Sequence, residues 1–334
     1  MTLEHPVHVK APPRAYRWLV LFVISLPMFG NYYAYDSVGP IFDLLKSQLS
    51  YTDSELGLMY TVYSIAAVIV LLIGGYIIDK FGTKVSVFAF GSICLAAAVV
   101  TAISPHLWVM LVGRFMLGIG AEPLIVAVTT ALAKWFKGKE LSFAFGINLM
   151  IARLGSVSAD WSTAWARPWY TNWQDPLWLA TIITSACLVG GVLYYLLEVR
   201  AERIYTLGGE SEAEKFELKG LYKFSPSYWY IVGLCVVFYS TVFPFRAFAI
   251  KYFIEAHGTS REIGGFLNSF LPLAAMVATP LFGLLVDRIG KRSLFMFVGT
   301  LLLLPLFLIV TYAPPGIVMQ FTLPIFGEIA LPLT

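Results

Sequence analysis

Nine runs of roughly twenty apolar residues, and a weaker tenth, occupy most of this chain: 17–40, 55–79, 84–103, 105–134, 139–163, 176–198, 228–253, 261–287, 293–312 and 315–334. About 20 predominantly apolar residues is the length an α-helix needs to cross the hydrocarbon core of a bilayer. That medium offers the backbone no water, and a helix satisfies its own N–H and C=O groups. The expected fold class is an all-α membrane protein with the lipid bilayer as its solvent. Composition agrees: 58% of residues are hydrophobic and only 13% charged, against about a quarter charged in soluble domains. The first 18 residues are polar and carry no cleavable signal pattern.

Several function classes drop out. The net charge of +3 comes from scattered basic residues, which leave no footprint for nucleic acid. Cys94, Cys187 and Cys235 all fall in apolar runs without metal-ligand spacing. They read as small core residues, and neither a metal nor a cofactor is implied. His5, His8, His106 and His257 occupy terminal or loop positions, so no histidine relay is laid out. No nucleophile–base arrangement or phosphate loop supports an enzyme.

Lys and Arg set the orientation. With the amino terminus inside and the runs alternating, 16 basic residues fall in inner segments and four, Lys46, Arg167, Lys251 and Arg261, in outer ones. The amino terminus is therefore expected to face the cytoplasm. One long charged segment, 199–227, reads as a cytoplasmic linker between an amino-terminal six-helix bundle (1–198) and a partial carboxyl-terminal bundle (228–334). A repeat supports two halves. Gly75-x-x-x-Asp79-Lys80-x-Gly82-x-Lys84 ends the second run, and Gly283-x-x-x-Asp287-Arg288-x-Gly290-Lys291 ends the eighth, 208 residues later. In each, the first Gly is expected to admit a neighbouring helix and the Asp to accept hydrogen bonds from a helix end. The second Gly permits the reversal, and the bases hold the inner surface. Such a pair of gating loops fits halves built by parallel repetition, a recognised transporter design.

A charge in mid-membrane costs at least ~2.5–3.5 kcal/mol, so it faces a cavity or a partner. Arg114, Glu122, Arg153, Asp160, Arg246 and, near a helix end, Asp36 are such residues. Glu122 lies twelve residues before Lys134, and Arg153 thirteen after Glu140. At ~1.5 Å per residue both sit roughly 18–20 Å from the inner face, close to the midplane where transporters bind solutes. Asn31 reaches the same level, with Tyr32, Tyr33 and Tyr35 beside it. One reading pairs Glu122 with Arg153 simply to lower insertion cost. The other makes them poles for a small zwitterionic solute, Glu122 meeting an ammonium and Arg153 a carboxylate.

Arg114, set among Gly113, Gly118 and Gly120, is expected to be structural or gating. Asp36 and Asp160 are explained equally well by solvation at outer helix ends. Pro244 is expected to break the helical ladder and open a polar niche at Arg246. Arg246 and Asn268 join the candidate solute-binding set; for Asn268 and Ser269, helix–helix bonding is an equal reading. The Trp and Tyr of 161–178 read as an outer interface belt.

The paired Gly-x-x-x-Asp loops and Arg114-x-x-x-Gly118-x-Gly120 resemble the hallmarks of the major facilitator superfamily. Other strings resemble one branch of it, the lysosomal dipeptide transporters. These are Gly113-Arg-Phe, Gly-Ala-Glu122, Lys134-Trp-Phe-Lys-Gly-Lys-Glu140, Ala152-Arg153-Leu-Gly155-Ser156, Asn31-Tyr, Tyr35-Asp36, Phe243-Pro244-Phe245 and Phe282-Gly-Leu-Leu-Val-Asp287. The resemblance implies two pseudo-symmetric helix bundles, the carboxyl-terminal one incomplete in this chain. It also implies uniport of dipeptides by alternating access, with Glu122 and Arg153 holding the peptide termini. An accessory membrane protein, known in animals for that branch, becomes a possible partner.

Twelve helices are implied, so the sequence is expected to be a truncated piece that does not transport by itself. The amino terminus has no acidic dileucine signal, which points to a cell membrane, with a lysosomal membrane as the alternative. Position 246 carries Arg where the branch leads one to expect an apolar residue. Two rival functions are proton-coupled symport of amino acids or organic anions, with Glu122 as proton site, and a transport-dead receptor or scaffold.

Overall fold

The computed structural model describes residues 12–136, 140–205 and 224–289, with isolated helical positions between 297 and 312. Every regular element among them is helical. In order they are α1 (Arg14–Asp36), a 3-10 turn (Gly39–Ile41), α2 (Phe42–Leu49), α3 (Asp53–Ile103), α4 (Leu107–Phe136) and α5 (Leu141–Trp165). A second 3-10 turn (Arg167–Thr171), α6 (Asp175–Glu202), α7 (Pro226–His257) and α8 (Arg261–Ile289) follow. Seven of the described helical stretches are long and apolar enough to cross a membrane. The first eight apolar runs thus appear as helices. The run at 293–312 is described only at isolated positions, and 315–334 and most of the linker lie outside the described residues.

Local chemistry explains the boundaries. α1 stops at Asp36, and the chain turns through Gly39–Ile41 into α2, an eight-residue helix that hydropathy does not reveal because it carries Asp43 and Lys46. Ser50, at φ 59°, ends α2 in the left-handed region. Thr52 and Glu55 then form a capping box at the start of α3: the Thr52 N–H donates to Glu55 Oε2 at 2.8 Å and the Glu55 N–H to Thr52 Oγ1 at 3.3 Å. α3 holds the second and third runs together, turning at Gly82 with φ 77° and ψ 166°, a conformation that a side chain disfavours. Gly258, at φ 63°, closes α7, its N–H bonding to the Ile254 carbonyl and that of Thr259 to the Phe253 carbonyl.

Pro244 lies inside α7, which runs from Pro226 to His257 with Arg246 buried two residues on. Two expectations need correction. Cys94 and Cys187 are buried, but Cys235 is exposed. The glycine that admits a neighbour at the end of the second run is Gly74, not Gly75. A Cβ on Gly74 would stand 3.0 Å from Pro123, whereas nothing lies within 4 Å of one on Gly75. A proline bulges from its helix, and the small residue belongs opposite that bulge, one position away from the motif's glycine.

The chain forms two compact units. The first comprises Met1–Asn31, Gly57–Ala152 and Thr181–Ala213, the second Tyr32–Leu56, Arg153–Ala180 and Glu214–Thr334. In the first unit, Leu21, Ile24, Met59, Leu124, Ala131 and Tyr194 are fully buried. Gly118 and Gly120 bring α4 against α3 there: a Cβ on Gly118 would collide with the Tyr63 carbonyl, and one on Gly120 would stand 2.9 Å from Cys94 Sγ. In the second unit, Tyr33, Ile41, Phe42, Leu45, Ile250 and Phe253 are buried, and Phe42 meets Phe248 at 5.0 Å between ring centroids.

These two kinds of glycine separate in a stability assay. Gly118→Ala overpacks the α3–α4 contact, and a cost of about 1–3 kcal/mol lowers the apparent melting temperature in detergent by several degrees. Gly75→Ala, with free space around it, leaves that temperature unchanged or raises it.

Candidate functional site

In the first unit, one tyrosine organises the charges of α4. Tyr63 donates its hydroxyl to Glu122 Oε1 at 2.9 Å, and its ring centroid lies 5.6 Å from the Arg114 guanidinium. Tyr60, one turn earlier, faces the same guanidinium at 5.1 Å. Arg114 is fully buried, so these ring faces supply electron density that water would otherwise provide. Gly118, between Arg114 and Glu122, is what lets the Tyr63 backbone approach this closely. Asn31 donates to the Ala121 carbonyl at 3.4 Å, next to Glu122, while its own Oδ1 is buried without a hydrogen-bond partner. Tyr60 and Tyr63 are not among the candidates read from the sequence. Their only signal is two tyrosines three residues apart near the start of a largely apolar run.

In the second unit, the Arg153 guanidinium lies 5.6 Å from the Tyr32 ring centroid, and its Nε is buried without a hydrogen-bond partner. Glu122 and Arg153 are both half-buried, and neither has an ionic partner among the described residues. Each is held by an aromatic residue of its own unit. Tyr35 is likewise half-buried.

Further along the second unit, four helices converge on Arg246. Its Nη2 donates to Asp36 Oδ2 at 3.1 Å and to Asp160 Oδ2 at 3.3 Å. Asn268 Nδ2 donates to the other Asp160 oxygen at 2.8 Å. Solvation therefore does not explain Asp36 and Asp160, which are only 7% and 1% exposed. Gly265 makes the convergence possible, because α8 passes so close to the Asp160 carbonyl that a Cβ there would collide with it. Ser269 is fully buried and accepts from Trp161 Nε1 at 2.7 Å. Sequence depth alone could not join residues 36, 160, 246 and 268, which sit on four different helices.

The first loop motif is anchored differently from expectation. Asp79 is exposed, and no hydrogen bond or ion pair holds it among the described residues. Lys80 is exposed beside the rings of Tyr76 and Phe81, at 5.9 and 5.4 Å. The anchoring acid is Glu198 on α6, 1% exposed, which accepts from Lys134 at 2.7 Å and Thr83 at 3.0 Å. Lys84 pairs with Glu202 one turn on. In the second motif, Arg288 is exposed at the end of α8; the side chains of Gly283 and Asp287, and residues Gly290 and Lys291, lie outside the described residues.

Comparison with known proteins places this geometry in context. The model of the Major Facilitator Superfamily matches residues 24–332. The lysosomal dipeptide transporter MFSD1 of Danio rerio is 31% identical over 323 residues, covering 91% of this chain and 69% of the relative. The Homo sapiens protein of the same name is 32% identical over 294 residues, covering 83% of this chain and 63% of the relative. This chain thus spans about two thirds of the length of these relatives. A crystal structure of a nucleoside transporter, NupG, superposes with a TM-score of 0.72 at 14% identity, covering 95% of this chain and 80% of that one. At that identity the likeness shows the fold alone.

The anchoring of the first loop has a direct check. Glu198→Ala removes the buried acceptor of the Lys134 ammonium and the Thr83 hydroxyl and leaves Lys134 only Glu202 at 3.7 Å; a cost of about 3 kcal/mol is read as a loss of folded protein in detergent. Asp79→Asn removes no hydrogen bond or ion pair among the described residues and leaves the yield unchanged.

Proposed function

Because the chain belongs to the major facilitator superfamily, we propose that it carries dipeptides across a membrane as a uniporter, with Glu122 and Arg153 holding the peptide's charged ends. The chain is a multi-pass membrane transporter. The observation that carries the finer reading is that two opposite charges are each kept half-buried by a tyrosine instead of by a counter-charge. A carboxyl group held by a single phenol still has oxygen lone pairs to offer an ammonium. A guanidinium over a ring, with its Nε unbonded, keeps its planar edge for a carboxylate. The names of the relatives at 31–32% identity support a dipeptide as the solute.

In this reading the bundles 1–198 and 228–334 rock about the solute, joined by a cytoplasmic linker at 199–227. Gly82 gives one gating loop its turn, and the amino terminus lies in the cytoplasm. The membrane is that of the cell, with the lysosome as the alternative that the relatives' names favour. Asn31, Tyr32 and Tyr35 border the peptide, and Arg114 holds α4 in register on the outer side of Glu122.

Thermal shifts of the full-length protein with dialanine and its two capped forms test the assignment. Dialanine at about a hundred times its dissociation constant should stabilise by ~2.7 kcal/mol. Glu122→Gln and Arg153→Ala should each weaken binding by about 2–5 kcal/mol. N-acetyl-dialanine, which lacks the ammonium, should bind weakly and lose nothing further in Glu122→Gln; dialanine amide should behave likewise in Arg153→Ala. Equal dialanine shifts in wild type and both variants would sink the assignment. Uptake of a neutral dipeptide should leave external pH unchanged, whereas alkalinisation would replace uniport with proton symport.

A further inference from the structure

The second unit carries a series of ion pairs at the helix ends that the Lys and Arg count assigns to the outside. Arg167 pairs with Glu262 at 2.9 Å and Arg261 with Asp43, while Lys46 and Lys251 share Asp53 and Glu255 at 2.6 to 3.6 Å. Acids and bases balance in each of these groups. The deepest group does not balance. Asp36, Asp160 and Arg246 are each at least nine-tenths buried and set two carboxylates against one guanidinium.

Among the described residues, the charged and titratable groups around this cluster do not supply a second cation. On α5, Arg153 lies two turns away, about 10 Å along the axis, over the Tyr32 ring. On α7, Lys251 is committed to Asp53 and Glu255. On α8, Arg261 is committed to Asp43 and to the Tyr170 carbonyl. Tyr33 of α1 and Tyr170 of the 3-10 turn meet at Ser162 and bring no positive charge. Burial pushes the Tyr170 hydroxyl up, so it stays a neutral phenol.

Two buried carboxylates that share one guanidinium leave a net negative charge, which burial and their mutual repulsion favour neutralising with a proton. A second observation points to the same ligand. Asn268 donates its Nδ2 to Asp160, yet its buried Oδ1 has no hydrogen-bond partner. Turning the amide exchanges its ends and offers an acceptor to a protonated Asp160.

We propose that the Asp36–Arg246–Asp160 cluster is a proton-binding lock, taking up one proton when α1, α5, α7 and α8 close together and releasing it when they part. The proton comes from the outer solution, sits on Asp160 and is bonded to the Asn268 oxygen. Parted, the cluster meets water and gives the proton up, so the closed form holds one proton more. Closure is therefore favoured as pH falls and lost as pH rises, by at most tenfold in the closed-to-open ratio per pH unit. α1 and α5 belong to the first proposed bundle, α7 and α8 to the second, so the lock would couple outer pH to the transport cycle whatever the solute.

Spin labels on Ser47→Cys of α2 and Ala256→Cys of α7, both exposed sites, report closure by distance measurement in nanodiscs. The full-length protein carries Cys235→Ser, which removes the exposed native thiol. The short-distance population should grow severalfold from pH 8 to pH 5. Asp160→Asn and Asp36→Asn each leave one acid for Arg246, so both should remain closed with a flat pH profile. A flat wild-type profile, a sloping profile in either variant, or an equal response to sodium at fixed pH would overturn the proposal.

Discussion

A charge without a partner is costlier in a low-dielectric interior than one packing contact can offset, and the polar architecture of this protein follows from that. The buried charges described above are met in specific ways. Glu198 takes a lysine and a threonine, Arg114 takes two aromatic faces, and Arg246 takes two aspartates. Glu122 and Arg153 receive the weakest answer, a phenol and a ring, and are correspondingly the most available to an incoming solute.

These arrangements require helices to approach more closely than ordinary side chains allow. At Gly118 the backbone of α3 comes against α4, which brings Tyr63 within reach of both Arg114 and Glu122. At Gly265 the backbone of α8 meets that of α5, which brings Asn268 to Asp160. Lipid gives little hydrophobic incentive for helices to associate, so small residues and the hydrogen bonds they permit do much of that work.

Much of the fold could be read directly from hydropathy. The eight runs from 17–40 to 261–287 became helices, because twenty apolar residues in lipid leave the backbone few other choices. Gly82 was legible as a turn, since its motif placed a glycine where the chain had to reverse. α2 was not, because eight residues bearing Asp43 and Lys46 look like any polar connection. Gly74 was missed in favour of Gly75, and Glu198 in favour of Asp79, for one reason. A motif marks a neighbourhood, while the contact depends on which way each residue faces around its helix.

The sequence by itself determined which segments enter the membrane and which residues carry charge into it, because hydrophobic length and the burial cost of charge are local properties. It could not determine partners. Asp36 and Asp160 looked like solvated end residues until α7 and α8 brought Arg246 and Asn268 to them, from 210 and 108 positions away in the chain. Only tertiary structure decides such pairings, since helix rotation and neighbour choice arise from the summed packing of many side chains and leave no periodic trace in the sequence.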